Sequence, residues 1–388
     1  MNTTTRDAVA ARTRMVGRLT SDGALRDPEW IEAFRAIPRE LFVPRFYSQT
    51  ITGRWSAVDD TDPDYIEKVY EVTSLVTQLD GDDNRWDAAR DEPQTGAPTS
   101  SSSDPALMAT MLEALDASEG DRVLEVGTGT GYNAALMAHR LGADHVTSIE
   151  VDETLAAAAR RRLHRLGYWP TVVTGDGAAG VPGGGPFDRI IATASAPAVP
   201  PAWLAQTATG GKILLNLYSQ LGGGALLLLT VTGPDHAEGH ILSAPGSFMP
   251  LRAHQPSSTT QERLRVALHD GDAERTRTDV PGEIIHHPDA GLFIGLIVRD
   301  VAWIGFTPEG GDPQQWLLAA DGSWAMRDHQ DGVEQQGRRS IWDEIAIGYQ
   351  TWERLGRPTR GRLGITVTPG HHQLWLDTPD HEITELPR

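Results

Sequence analysis

A glycine-rich turn and three carboxylates stand where an α/β sheet would gather them around one ligand. The segment VLEVGTGTGYNAALMAHRLG, Val123 to Gly142, reads as a buried strand ending at Val126, a turn, and a helix opening near Tyr132. Gly127, Gly129 and Gly131 let backbone approach a ligand closely, and the helix start offers free N–H groups. The spacing is G-x-G-x-G rather than the dinucleotide G-x-G-x-x-G, which tilts against a nicotinamide cofactor. Glu150 closes the next strand-like run, VTSIE, at a distance where an acid accepts hydrogen bonds from both ribose hydroxyls. Asp176 lies in GDG after the following strand, where it can meet an adenine amino group. Glu125 sits inside the first strand, and a buried carboxylate is costly unless hydrogen-bonded. A ligand ammonium, or the backbone N–H groups of the turn, would satisfy it. One acid at a strand end is ordinarily solvated or capping, but all of them, in order, at consecutive strand ends point to a nucleoside ligand.

These residues need a sheet to hold them. Apolar runs at Arg122–Val126, His145–Glu150, Thr171–Thr174, Arg189–Thr193, Lys212–Leu217 and Ala225–Thr232 alternate with helical patterns, which indicates an α/β sheet of mostly parallel strands. The last two runs, split by Gly222–Gly224, suggest an antiparallel hairpin at the edge. Residues 1–105 read as a helical segment, with Trp30, Ile31, Phe34 and Ile37 at helical spacing, followed by a long acidic loop. Between Asp59 and Glu92 there are 12 acids against Lys68, Arg85 and Arg90. Long loops in compact domains are often binding loops. Residues 106–252 form the α/β core, and 253–388 an α+β unit that begins with a polar linker, His254 to Glu262. That unit holds six of the 11 tryptophans, enough for a core of its own. Its clear helix is capped by Ser340, ends at Gly356 and Pro358, and places Ile341, Trp342, Ile345, Tyr349 and Trp352 on one face.

Bulk composition narrows the partners. A formal charge of −19 repels phosphates, so nucleic acid is not expected, whereas a cationic peptide is compatible. The absence of cysteine excludes disulfides and thiolate chemistry. No apolar run is long enough for a membrane span or a signal peptide, and a cytoplasmic protein is expected. The pairs His286–His287 and His371–His372 lack the helical spacing of two metal ligands and read as surface residues, so no metal is expected.

Segment by segment, VLEVGTGTGYNAALMA, VTSIEVD, VVTGDGAAG and PFDRIIATASAPAVPPAWLAQTATGGKILLNL resemble the protein-L-isoaspartate O-methyltransferases. IPRELFVPRF (Ile37–Phe46) resembles their N-terminal motif and FMPLR (Phe248–Arg252) their C-terminal strand, so the likeness runs from about residue 28 to 252. It implies a Rossmann-like class I methyltransferase fold that binds S-adenosyl-L-methionine, with Glu150 on the ribose and Asp176 and Gly177 near adenine. The candidate cofactor set is completed by Ser103, Glu125, Gly127, Thr128, Gly129, Gly131, Asn133, Val151 and Thr193.

The departures are informative. Where repair enzymes carry Q-T-I-S-Q-P, this chain has SSSSDP, Ser100 to Pro105, which places Ser101 at the threonine and Ser103 at the substrate-contacting serine. From composition alone the tetrad would be a flexible linker. The acidic loop is longer than in repair enzymes, and the C-terminal unit is expected to have no counterpart in them. With the VTQLDGD segment (Val76–Asp82), these features resemble a branch that methylates aspartate in ribosomally made peptides such as graspetides and lanthipeptides and leads to aspartimide. Two other readings stay open: isoaspartate repair, and a non-catalytic module that binds a precursor peptide on a methyltransferase scaffold.

Overall fold

The computed structural model describes residues 3–221, 223–252, 259–269 and 273–386. Two helices open the chain, Thr3–Ser21 and Pro28–Ala36; the second starts at Asp27, whose side chain accepts from the Glu29 N–H, with proline in its first turn.

The expected acidic loop is instead a small folded layer. Strands Trp55–Asp59, Arg45–Gln49, Leu75–Leu79 and Pro98–Ser102 pair in that order as an antiparallel sheet, with helices Tyr65–Val69 and Arg85–Asp91 between them. Several of its acids are structural. Asp59 and Asp62 close a turn through the N–H groups of Thr61 and Asp59, and Lys68, Arg85 and Arg90 pair with Asp64, Asp80 and Asp62 within the same layer. Tyr47, Leu79 and Trp86 form its own small core. Three of the four serines, Ser100 to Ser102, therefore lie in a strand rather than a linker, and Ser103 follows directly on its end.

The main sheet has ten strands, in the order Glu382–Glu385, His372–Leu376, Leu363–Val367, His236–Gly246, Gly223–Gly233, Thr207–Ser219, Phe187–Ala196, Val123–Val126, Val146–Glu150 and Thr171–Thr174. The last five are parallel and the others antiparallel. Chain order reverses at Val123–Val126, which places a crevice beyond its carboxyl end. All four residues of that strand are buried, including Glu125.

The hairpin of Thr207–Ser219 and Gly223–Gly233 forms as read, apart from Gly222, which lies outside the described residues, but it is not at an edge. His236–Gly246 follows it, and three C-terminal strands then continue the same sheet, starting from Ala237 opposite Val367. The apolar core crosses with them. Leu215, Leu227 and Ile241 share one cluster with Phe293, Trp342, Ile345, Ile365 and Leu374, while the N-terminal helices pack in a second cluster that includes Val123, Ile191 and Leu214. A five-stranded antiparallel sheet, Arg275–Arg277, Gly332–Gln336, Trp324–Arg327, Gln314–Ala319 and Val301–Phe306, completes the C-terminal unit.

Helix Ile341–Arg354 buries Ile341, Trp342, Ile345 and Trp352 as its periodicity requires, yet the Ser340 side chain makes no cap bond. Of the read linker, 254–258 lie outside the described residues, and Thr259 caps the helix Thr260–Ala267 through a reciprocal bond with Glu262. Among the histidine pairs, His372 is not at the surface: it is buried, and its Nε2 accepts from the Val199 N–H at 3.0 Å.

Candidate active site

The first parallel strand delivers Gly127 to Gly131 at the crevice, and the turn is held by hydrogen bonds to the neighbouring strand. The N–H groups of Gly127 and Thr128 donate to Ile149 O at 2.9 and 3.3 Å. Gly129 N donates to Glu150 Oε2 at 2.8 Å, and Asp152 N donates to Glu150 Oε1 at 3.1 Å. Glu150 is thus almost buried yet keeps unused lone pairs towards the crevice, as a diol acceptor must. Asp176 stands exposed at the end of Thr171–Thr174, and its carboxylate caps the Ala178 N–H. Gly177 beside it cannot be replaced by a larger residue: a Cβ there would lie 2.5 Å from Val126 Cγ1. Thr193 Oγ1 fastens the turn from the other side by donating to Gly127 O at 2.6 Å.

These groups border a cavity of about 700 Å³ that lies within the size range of small-molecule sites. Ser101, Ser103, Glu125, Gly127, Thr128, Gly129, Asn133, Glu150, Val151, Asp176, Gly177 and Thr193 all line it. Gly131 does not. Its φ is +88°, and a Cβ would lie 3.0 Å from Ala159 Cβ, so this glycine admits the helix Glu153–Arg165 rather than a ligand.

Glu125 is also satisfied differently from the sequence reading. The turn N–H groups do not bond it; it accepts from Ser148 Oγ at 2.5 Å and from Asn133 Nδ2 at 2.8 Å. Complete burial raises its carboxyl to about 7, against the lowering effect of those two bonds.

Strand Pro98–Ser102 forms the opposite wall, with Ser101 O close above Gly129. Strand alternation divides the tetrad in two. Ser100 Oγ bonds Thr77 and Ser102 Oγ bonds Arg39, and both residues are buried. Ser101 and Ser103 are half-buried at the cavity, and their hydroxyls have no partner among the described residues. Two free hydroxyls on a rigid wall can donate to a substrate carboxylate without protonating it. Ser103→Ala is expected to lower turnover by on the order of a hundredfold while leaving cofactor affinity unchanged. Steady-state rates with calorimetry check this, and a parallel loss of affinity would assign Ser103 to the cofactor instead.

Sequence reasoning missed the residues that hold this wall in place. Arg39, fully buried inside IPREL, sends Nη1 to Val69 O and Glu71 O and Nη2 to Thr73 O and Ser103 O at 2.8 to 3.1 Å, with Nη2 also 3.4 Å from Ser102 O. Burial lowers its guanidinium to about 10, still charged at neutral pH. The charged pair Arg39 and Glu40, set between Ile37, Pro38, Leu41 and Phe42, was the available signal. Gln78 was the second omission. Its amide reaches Asp152 Oδ2, Arg252 Nη2 bonds both Asp152 and Gln78, and the small sheet is thereby tied to the core at the cavity rim. Phe248, Met249 and Arg252 line the cavity because Ser195 clamps that segment through Met249 O and the Leu251 N–H, each at 2.9 Å.

Known proteins are similar to this chain in sequence and in fold. A family model described as protein-L-isoaspartate(D-aspartate) O-methyltransferase matches residues 68–222. A protein-L-isoaspartate O-methyltransferase of Ignicoccus hospitalis is 34% identical over 241 residues, covering 61% of this chain and 95% of that protein. One of Anaeromyxobacter dehalogenans is 43% identical over 156 residues, covering 40% of this chain and 73% of that protein. A solved structure of a protein-L-isoaspartate O-methyltransferase aligns with a TM-score of 0.54 at 23% identity, covering 95% of this chain and all of that one. That coverage cannot be reached without most of the C-terminal unit, so the expectation that the unit has no counterpart in such proteins is overturned at the level of fold. The cavity suits a nucleoside-bearing amino acid: acids stand where hydroxyl and amino donors would come, and Asn133 Oδ1 is a buried acceptor with no partner. With its glycine turn, ordered acids and relatives matched over nearly their full length, the chain belongs to the protein-L-isoaspartate O-methyltransferase family, S-adenosylmethionine-dependent O-methyltransferases.

Proposed function

We propose that this methyltransferase esterifies the side-chain carboxylate of an ordinary L-aspartate in a ribosomally made, macrocyclised peptide, and that the ester goes on to aspartimide. The observation that carries the reading is the pair of hydroxyls without a partner among the described residues, Ser101 in the strand beside the glycine turn and Ser103 just past its end. When bound, S-adenosylmethionine supplies an electrophilic methyl group. The residues of this chain then have a positional task. A carboxylate is already ionised at neutral pH, so no strong base is needed. The serine wall orients one carboxylate oxygen, and the walls Pro98–Ser103 and Ser247–Arg252 keep water out. Once the ester has formed, the backbone nitrogen of the following residue attacks its carbonyl carbon, loses its proton, and expels methanol to close a five-membered imide. Glu150 and Asp176 hold the nucleoside end in this scheme, with Thr193, Val151 and Thr128 shaping its surroundings.

A second reading, isoaspartate repair, is favoured by the names of the relatives and by the fold likeness that extends through the C-terminal unit. The two separate on substrate. Cyclised precursor, its linear form and a short isoaspartyl peptide are incubated side by side with enzyme and cofactor. The expected result by mass spectrometry is a transient gain of one methyl on the cyclised peptide, then loss of methanol. The final product is lighter than the starting peptide by one water. Preferential methylation of the isoaspartyl peptide would overturn the first reading and establish the second.

A further inference from the structure

One buried polar atom in the cavity lacks a partner for a reason the surrounding hydrogen bonds explain. Asn133 is in the first turn of the helix Tyr132–Leu141, lines the cavity, and is 8% exposed. Its Nδ2 donates to Glu125 Oε1 at 2.8 Å, and its Oδ1 is buried without a hydrogen bond. An ionised carboxylate can only accept, so the amide has one allowed orientation. The same logic directs the rest of the chain of bonds: Thr128 Oγ1 donates to Ser148 Oγ, and Ser148 Oγ donates to Glu125 Oε2, each at 2.5 Å. Glu125 thereby points the Asn133 carbonyl away from itself. A buried acceptor left open costs free energy that a cationic N–H donor would recover.

We propose that Asn133 Oδ1 accepts the α-ammonium of the cofactor's amino-acid end, and that Glu125 is the positioning residue that fixes the amide for it. This rests on the assignment of the cavity to S-adenosylmethionine. The surroundings add charge to geometry. From the strand Val146–Glu150, Glu125 faces Ser148 and feels Glu150. From the strand Phe187–Ala196 its register partner is the uncharged Ile191, and from the helix Tyr132–Leu141 it meets Asn133. Among the described residues no cation acts on Glu125, so a ligand ammonium is the complementary charge. Because burial raises Glu125 to about 7, an ammonium ligand favours its ionised form, and affinity rises as pH increases through that value. Protonation removes the charge, and if the proton sits on Oε1 it also removes the constraint on the amide.

The test measures binding rather than turnover. Calorimetry on the full chain compares S-adenosylhomocysteine with its analogue lacking the α-amino group. The wild type is expected to bind the amino compound about ten- to a hundredfold more tightly. Asn133→Ala should bring that ratio close to one while binding of the deamino analogue is retained. If Asn133→Ala weakens both ligands equally, the proposal is wrong; if the wild type binds neither, the assignment of the cavity itself fails. Glu125→Gln supplies the independent arm, since its carbonyl accepts from Asn133 and its amide donates to Ser148. Wild-type affinity for the amino compound should rise up to about tenfold between about pH 6 and pH 8, with little change for the deamino analogue. Glu125→Gln should bind well throughout and lose that slope. A slope that survives in Glu125→Gln overturns the role given to Glu125.

Discussion

Arg39→Ala should cost about 4 kcal/mol or more in folding stability, and with it the serine wall. The guanidinium contacts the carbonyls of Val69, Glu71, Thr73, Ser102 and Ser103, and alanine can donate to none of them. Each buried acceptor left open costs roughly 1 to 3 kcal/mol, set against a whole-domain stability of about 5–15 kcal/mol. Arg39→Lys keeps the charge but offers one compact ammonium in place of a planar fork, so it should recover only part of the loss. Thermal melting of the three proteins measures the cost. Activity should fall in step, because the carbonyls of Ser102 and Ser103 lose their anchor. A variant that melts like the wild type would show that the wall is held by its pairing with Leu75–Leu79 alone.

The second large effect is on assembly of the main sheet. Removing residues 258–388 should leave no cooperatively folded protein. The cut would strip Leu363–Val367 from His236–Gly246 and open a long sheet edge. It would also uncover the face that Phe293, Trp342, Ile345 and Leu374 share with Leu215, Leu227 and Ile241. At about 1.5–3 kcal/mol for each large side chain, a handful of such exposures exceeds the stability of an ordinary domain. Helix Ala290–Ile297, buried along nearly its whole length against the central strands, would be lost as well. The measurement is solubility and circular dichroism of the fragment ending at 257. A soluble fragment with a sharp melting transition that still binds S-adenosylhomocysteine would show that the core folds alone.

The parallel half of the sheet was legible in the sequence because each strand carries its own signal. Val123–Val126, Val146–Glu150 and Thr171–Thr174 are apolar, short and bounded by glycine or acid. The crevice followed from their order, and so did the acids at their ends. What stayed hidden was of two kinds. The strands of the small N-terminal sheet are joined by segments rich in Asp, and Pro98–Ser102 consists of proline, threonine and serine alone, so the region resembles a loop by composition. The partner of His236–Gly246 lies more than a hundred residues away in Leu363–Val367, and no local pattern reports a pairing at that distance. Arg39 and Gln78 escaped because their importance lies in what they bond. Gly131 lies off the cavity because a positive φ serves close helix packing as readily as ligand approach.

A run of four serines at the end of a strand has a consequence for how this protein can vary. In an ordinary strand a slip of one position exchanges every inward side chain for an outward one. Here the exchange replaces serine by serine: whichever two of Ser100 to Ser103 face the cavity, hydroxyls face it, and Thr99 extends the series. The Arg39 clip at Ser102 and Ser103 fixes one end of the strand, and the chain before it can gain or lose a residue without emptying the wall. Such redundancy makes the wall robust to insertions and deletions upstream. The small sheet that precedes it can therefore change in length while hydroxyls still face the cavity.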